Sequence, residues 1–312
     1  MPRLLALFLG GLIAIAAIVG IIASLAVGTL AKTPDFNLLR KSVEIQTLKP
    51  DGDTLVRKVG PQTADWVPIH LISNHLLMAV IASEDSAFYS HDGIDLFELK
   101  ESVKKDLQEK RWARGGSTLT QQVIKNVYLS KQKSLWRKFK EILWARELEK
   151  SLSKSEILCV YANIVEWGPN LFGIRSAARH YFNTTPALLT PKQSAFLAMM
   201  LPAPVKYYTS FKNRELTDFA EKRVAHILHV MNRMGFLDEE KYHDALAETL
   251  WKGSGKRKKE LPEIKEESGD EEVEEVPKFA PAAPEPVPSG SPVPESSVPL
   301  EKMDKDQVGE NT

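Results

Sequence analysis

Residues 82–95, ASEDSAFYSHDGID, with GGSTLTQQVIKN at 115–126 and RKFKE at 137–141, form the stretch on which the rest of the chain is organised. Two carboxylates, Glu84 and Glu141, bracket a Gly-Gly-Ser-Thr turn and a helix carrying Gln122, Lys125 and Asn126. An acid, a backbone-rich turn and fixed cations suit a reaction in which an anionic group departs while a hydroxyl loses its proton.

Upstream, Ser73 or Asn74 can cap a helix whose Leu76, Leu77, Val80 and Ile81 share an apolar face. Glu84 and Asp85 then fall at its C-terminal end, where the helix dipole disfavours negative charge. A solvated helix end is the bland reading of such a pair. Phe88, His91 and Gly93 directly after it favour a site.

Downstream, Arg114 to Thr118 is a turn that opens a helix, with Thr118 and Gln121 as a capping box. Its glycines allow backbone N–H groups close approach to a ligand, and a helix N-terminus attracts anions. Thr118, Gln122 and Lys125 share one face, opposite Leu119, Val123 and Val127. The spacing is not that of a P-loop. On the next helix, expected over 136–148, Arg137 and Lys138 stand four and three residues before Glu141. A surface salt bridge of little value is the competing reading there.

Between these segments, Leu96, Leu99, Val103 and Leu107 keep helical spacing, as a core stripe or, with Phe97, Trp112 and the lysines, as a lipid-facing one. Ser153 with Glu156 opens another helix; WGPNLFG reads as a loop and GIRSAARHYF as a helix. Thr190-Pro191-Lys192-Gln193 starts an apolar helix that stops at Pro202. Helices are expected over 216–234 and 239–250. His226 and His229 have no third ligand nearby and read as ordinary helix residues.

Residues 4–31 carry no charge, more than the roughly 20 residues a helix needs to cross hydrocarbon and too long for a cleaved signal peptide. They read as a transmembrane anchor. Arg3 precedes it and Lys32, Arg40 and Lys41 follow, so the loop charges weakly disfavour an external domain. Residues 32–61 read as a stalk with a hairpin, VEIQTL and DTLVRKVG about a Pro-Asp-Gly-Asp turn. Asp51-Gly-Asp53 also matches a metal-binding DxD pattern, although a solvated turn is the ordinary meaning. The folded domain covers 62–250, and 251–312, acidic and then Pro/Ala/Ser-rich, is expected to be a disordered tail. Lys+Arg and Asp+Glu both number 41, so charge gives no argument for nucleic acid. A single cysteine, Cys159 in an apolar helical setting, excludes an internal disulfide and reads as a buried thiol.

The segments EDSAFYSHDGID (84–95), GGSTLTQQVIKN (115–126), RKFKE (137–141), SKSEILCVYANIVEWG (153–168) and FGIRSAARHYF (172–182) closely resemble the family 51 peptidoglycan glycosyltransferases, in their monofunctional form. The likeness runs from Trp66 to about Pro204. Ala162, where the family mostly has leucine, and Cys159, often acidic there, depart from it on the packing side of a helix. No SxxK…KTG transpeptidase set follows.

The resemblance implies a mainly α, lysozyme-like, two-lobed glycosyltransferase domain behind an N-terminal transmembrane helix, on the extracytoplasmic side of the cell membrane. Its substrates would be lipid II and the growing glycan strand. Glu84 would be the catalytic base, with Glu141 orienting cations or helping to hold a divalent ion. Lys125, Arg137 and Lys138 would meet the pyrophosphate; Ser117, Thr118, Gln122 and Asn126 would hold sugar and phosphate oxygens. Asp85, Phe88 and His91 would shape the pocket around Glu84. No cofactor is required, and Mg or Mn is allowed at the pyrophosphate. The tail is a candidate contact for cell-wall synthesis proteins. Two other readings stay open: a lysozyme-like enzyme that cuts glycan, and a non-catalytic membrane scaffold.

Overall fold

The computed structural model describes residues 33–48, 52–109, 116–130 and 134–251, together with Ile18 and Gly20. The anchor expected over 4–31 lies outside these residues apart from Ile18 and Gly20, as do Asp51, Trp112, Arg114, Gly115 and the tail beyond Trp251. Among the described residues no helix is long and apolar enough to cross a membrane.

The described domain is mainly helical. A 3-10 turn, Phe36–Arg40, leads into the antiparallel hairpin β1 (Val43–Leu48) and β2 (Thr54–Val59), in which Val43 faces Val59 and Leu48 faces Thr54. Ten helices follow among the described residues: α1 (Asn74–Glu84), α2 (Leu96–Glu109), α3 (Leu119–Tyr128), α4 (Leu135–Ser151), α5 (Lys154–Ile164), α6 (Ile174–Phe182), α7 (Pro191–Met200), α8 (Thr209–Asn213), α9 (Asp218–Arg233) and α10 (Glu239–Ala247). Between α5 and α6 lies a second, very short hairpin, β3 (Glu166–Gly168) and β4 (Leu171–Phe172).

Two helices form the middle of the core. In α1 every residue from Leu76 to Ile81 is buried, and in α7 every residue from Ser194 to Met200. A helix apolar on all sides has to be enclosed on all sides. Accordingly α1 packs against α7 and α9, while α3 packs against α4, α5 and β1. Each fully buried leucine or isoleucine here, such as Leu76, Ile81 and Ile157, contributes about 1.5–3 kcal/mol.

Local hydrogen bonding sets where the helices begin. Thr118, Ser153 and Thr190 each accept from the backbone N–H three residues on, and Gln121, Glu156 and Gln193 reach back in complete capping boxes. Ser73 does not cap α1; its hydroxyl donates to the Leu189 carbonyl at 2.9 Å and ties the start of α1 to the loop before α7. A second difference is WGPNLFG, which is the β3–β4 hairpin rather than an open loop. A Cβ on Gly168 would stand 2.1 Å from the Tyr181 hydroxyl, which donates to the Trp167 carbonyl at 2.9 Å, so only glycine admits this bond. The stripe begun at Leu96 is not core there: Leu96 and Phe97 are exposed.

Asn163 joins α5 to the entry of the domain. Its side chain accepts from the Val67 N–H at 2.8 Å and donates to the carbonyls of Val67 and Cys159 at 2.9 and 2.8 Å. These bonds satisfy backbone groups that the core would otherwise leave unpaired. Cys159 is buried, and that burial raises its thiol to about 12, as suits a packing residue.

Candidate active site

Glu84 is the last residue of α1 and is half-buried. Its Oε2 accepts a hydrogen bond from Gln122 Nε2 at 3.0 Å, and the Gln122 Oε1 accepts from the Tyr161 hydroxyl at 3.2 Å. Three elements, α1, α3 and α5, are therefore joined through the Gln122 amide. Burial raises the proton affinity of Glu84 above that of an ordinary glutamate. The Gln122 bond and then the charges of Lys125 and Arg223 work against that rise, while Asp85 adds to it. A carboxylate poised in this way is a better base than a solvated one.

The loop after Glu84 is pinned from several sides. Asp85 is buried, and its carboxylate accepts from the Leu119 N–H at 2.9 Å and from His91 Nε2 at 3.0 Å. His91 Nδ1 accepts from the Gly93 N–H at 3.2 Å, so the ring proton sits on Nε2 and is donated to Asp85. Gly93 has φ +83, and a Cβ there would lie 2.7 Å from the Ala145 carbonyl, so the turn requires glycine. Thr118 closes the ring of contacts by donating to the Gly93 carbonyl at 2.8 Å. Lys154 adds a strut: its ammonium donates to the His91 carbonyl at 2.6 Å and sits 4.4 Å from the centre of the Phe88 ring.

Opposite this loop, the start of α4 carries a cationic group built on a buried acid. Glu141 is 2% exposed and takes Lys138 Nζ at 2.6 Å on one oxygen and Arg137 at 3.3 Å on the other. Lys138 also donates to the Ser117 hydroxyl at 3.1 Å. Lys125 reaches solvent on α3, yet the protein crowded around it dehydrates its ammonium and lowers its proton affinity. Glu141 opposes that change, Lys138 and Arg137 deepen it, and Glu84 opposes it again. Lys125 thus stands between the two acids: its charge acts on Glu84, and that of Glu141 acts on it. An anion placed beside Lys125 relieves the repulsion among three cations.

The structure brings together Glu84, Gln122, Lys125, Arg137, Lys138, Glu141 and Ser117, with Asn126 half-buried next to Lys125 on α3. It draws others into the scaffold. The Thr118 hydroxyl is buried, donates to the Gly93 carbonyl and caps α3, so its bonds within the protein order the turn. Phe88 is fully buried, and Asp85 and His91 bond to each other and to the start of α3, so all three hold the loop that follows Glu84. Glu141 is no surface salt bridge, because it is enclosed by the protein.

Two residues were given no role by the sequence: Tyr161, inside the SKSEILCVYANIVEWG segment, and Arg223, inside the helix expected over 216–234. Their roles come from contacts across the fold, Tyr161 through Gln122 and Arg223 by its field at Glu84.

The family model described as Transglycosylase matches residues 52–232, more than half of the chain. The biosynthetic peptidoglycan transglycosylase of Nitrosomonas eutropha is 47% identical over 144 residues, which cover 46% of this chain and 59% of that protein. The protein of that name from Nitrosomonas europaea is 49% identical over 144 residues, with the same coverage of 46% and 59%. The match thus spans about three-fifths of the length of these relatives. A solved structure of penicillin-binding protein 1A from Haemophilus influenzae aligns with 67% of this chain and 21% of its own, at 18% identity and a TM-score of 0.34, too distant to bear on the fold. With the family model covering the acid-bearing loop, the cation-bearing helices and the core between them, this chain belongs to the transglycosylase family.

Proposed function

We propose that this chain is a peptidoglycan glycosyltransferase that polymerises lipid II into glycan strands and releases undecaprenyl pyrophosphate. One observation carries the reading: Glu84 accepts from Gln122 on the helix that also carries Lys125, and Lys138, paired with Arg137 on Glu141, reaches Ser117 at the start of that same helix. In this mechanism Glu84 takes the proton from the GlcNAc 4-hydroxyl of an incoming lipid II. That oxygen attacks C1 of the lipid-linked MurNAc of the growing strand, and the C1–O bond to the pyrophosphate breaks with inversion from α to β. The pyrophosphate gains negative charge as it leaves. Lys125, Arg137 and Lys138 stabilise that charge more in the transition state than before it. Gln122 holds the base, and Glu141 holds the cations in place.

A Mg or Mn ion fits this donor set poorly. The Glu141 carboxylate accepts from two cations, and among the described residues no group of three His, Cys, Asp or Glu side chains is arranged to hold a metal. No step is therefore routed through one. The lysozyme-like, two-lobed architecture, the membrane anchor over 4–31, an extracytoplasmic site and contacts of the tail with cell-wall synthesis proteins belong to the same proposal. An anchor would hold the enzyme in the plane of its lipid-linked substrate and raise the effective concentration of each for the other.

Purified protein incubated with lipid II is expected to form polymer that moenomycin, a phosphoglycolipid inhibitor, suppresses. The same protein is expected to leave finished sacculi intact. Fragments from sacculi with no polymer from lipid II would replace this reading with glycan cleavage, and neither product would leave a scaffold.

A further inference from the structure

Gln122 is an amide with two unlike ends, and which end faces Glu84 decides whether it helps or opposes a charged base. With Nε2 toward Glu84, as here at 3.0 Å, the amide donates to the carboxylate. Turned over, it would set oxygen against oxygen. An ionised Glu84 only accepts, so it selects the Nε2 end itself; what holds the amide in that place, with its Oε1 occupied, is its other neighbour. That neighbour is the Tyr161 hydroxyl, which donates to Gln122 Oε1 at 3.2 Å.

Tyr161 is held for this task. It is 1% exposed, on α5, a helix buried from Ile157 to Ile164. The same helix is fixed to the domain entry by Asn163, two residues on. A phenol so enclosed cannot trade its partner for water. Burial first, then the negative charges of Glu84 and Asp85, hold its proton affinity well above that of an ordinary tyrosine. It therefore stays protonated and can act as a donor throughout the range in which a glutamate titrates.

We propose that Tyr161 is a positioning residue: through Gln122 it keeps an amide donor on Glu84 and so keeps that carboxylate ionised for proton abstraction. The role rests on the glycosyltransferase reading, because it assigns a purpose to the Glu84 base. The charges that reach Glu84 are Lys125 on α3, Arg223 on α9 and Asp85 beside it. Lys125 and Arg223 favour the ionised form and Asp85 opposes it, so the Gln122 bond adds to the two cations. Removing the tyrosine hydroxyl leaves those three charges in place and frees only the amide.

The test is the pH profile of the Tyr161→Phe variant in lipid II polymerisation. Its acid limb should move upward by about 0.5–1 pH unit, a loss of about 3–10-fold below the limb, with the high-pH plateau and KM within about twofold of the parent. Gln122→Leu should move the limb the same way, and the double variant should move it no further than the larger of the two. A rate lowered equally at every pH, or limb shifts that add, would leave Tyr161 a packing residue only.

A second readout needs no turnover. The Glu84 carboxyl resonance, followed by 13C NMR and assigned with Glu84→Gln, should titrate at higher pH in the Tyr161→Phe protein. Should that variant not fold, the same titration in Gln122→Leu takes its place, and an unmoved resonance overturns the inference. A parent protein that makes no polymer while its Glu84 resonance responds as expected would sink the glycosyltransferase reading and leave the relay standing.

Discussion

The carboxylate of Asp85 accepts a hydrogen bond from the backbone N–H of Leu119 at 2.9 Å, across 34 residues of chain. Leu119 opens α3, where the first N–H groups have no partner within the helix and the dipole favours a negative charge. The residue next to Glu84 is thereby fastened to the helix that carries Gln122 and Lys125. Removing this anchor should cost both stability and chemistry. Asp85→Ala is expected to lower unfolding free energy by about 2–3 kcal/mol, since it takes a charged acceptor from two buried donors. Turnover should fall as well, because Glu84 and Lys125 lose their shared frame. Urea unfolding measures the first effect, and a change within about 0.5 kcal/mol, the range of an ordinary surface substitution, would show that the bond is incidental.

Glu84→Gln should separate activity from stability. As the base, its loss is expected to reduce polymerisation by about 10²–10⁴-fold. The sign for stability is opposite. Burial raises the folded-state pKa of Glu84 above its unfolded value, so protonation favours the folded form. That contribution is present below the unfolded pKa and is lost as pH rises through the folded one. At neutral pH the native protein therefore holds a carboxylate at some cost, and glutamine removes the cost. The variant should melt at a higher temperature than its parent near pH 7, with the gap closing as pH falls through the range in which Glu84 protonates. A variant less stable at neutral pH would mean that Lys125 and Arg223 outweigh burial.

Lys125→Ala is expected to lower kcat by about 10²–10³-fold while changing KM less, as for a donor that acts on charge developing in the transition state. Its ammonium is held below the ordinary lysine value, so a basic limb from Lys125 should appear earlier than for a free lysine. Lys125→Arg should retain part of the activity and move that limb up, because a guanidinium stays charged. A pure rise in KM in Lys125→Ala would place the residue in ground-state binding.

Where the determinants are local, the sequence reads well. The capping boxes at Thr118, Ser153 and Thr190 need only a hydroxyl and a carboxyl or amide three residues apart, and all three form. Glu84, Gln122, Lys125 and Glu141 stood out by motif, and they are neighbours in space. What the pattern could not supply was the partner of each polar group. A threonine beside a glycine-rich turn looks the same whether its hydroxyl meets a ligand or, like Thr118, the Gly93 carbonyl. Tyr161 and Arg223 act on residues 39 and 139 positions away, a distance at which periodicity is silent. The β3–β4 hairpin was hidden for the same reason, since Gly168 is dictated by Tyr181 on the following helix.

The second acid should behave in the opposite way to the first. Glu141 is 2% exposed, and its two oxygens are divided between Lys138 and Arg137. Glutamine in its place offers one acceptor and turns its NH2 toward the other cation, leaving a positive charge without an answer in a poorly hydrated place. Breaking an enclosed ion pair by removing one partner costs about 3–5 kcal/mol. Arg137 and Lys138 keep 18% and 35% of their side chains in solvent, which reduces the penalty. Glu141→Gln is thus expected to destabilise the protein by about 1–3 kcal/mol at neutral pH, where Glu84→Gln stabilises it. Lys138→Met in the Glu141→Gln background should recover part of the loss, because it removes one of the stranded charges, whereas in the parent it should only destabilise. Activity should stay low in the double variant, since it has lost one of the cations assigned to the leaving group in the proposed mechanism. Equal stability changes from Lys138→Met in both backgrounds would show that the two side chains are near each other without being coupled, and Glu141 would then need another reason to be buried.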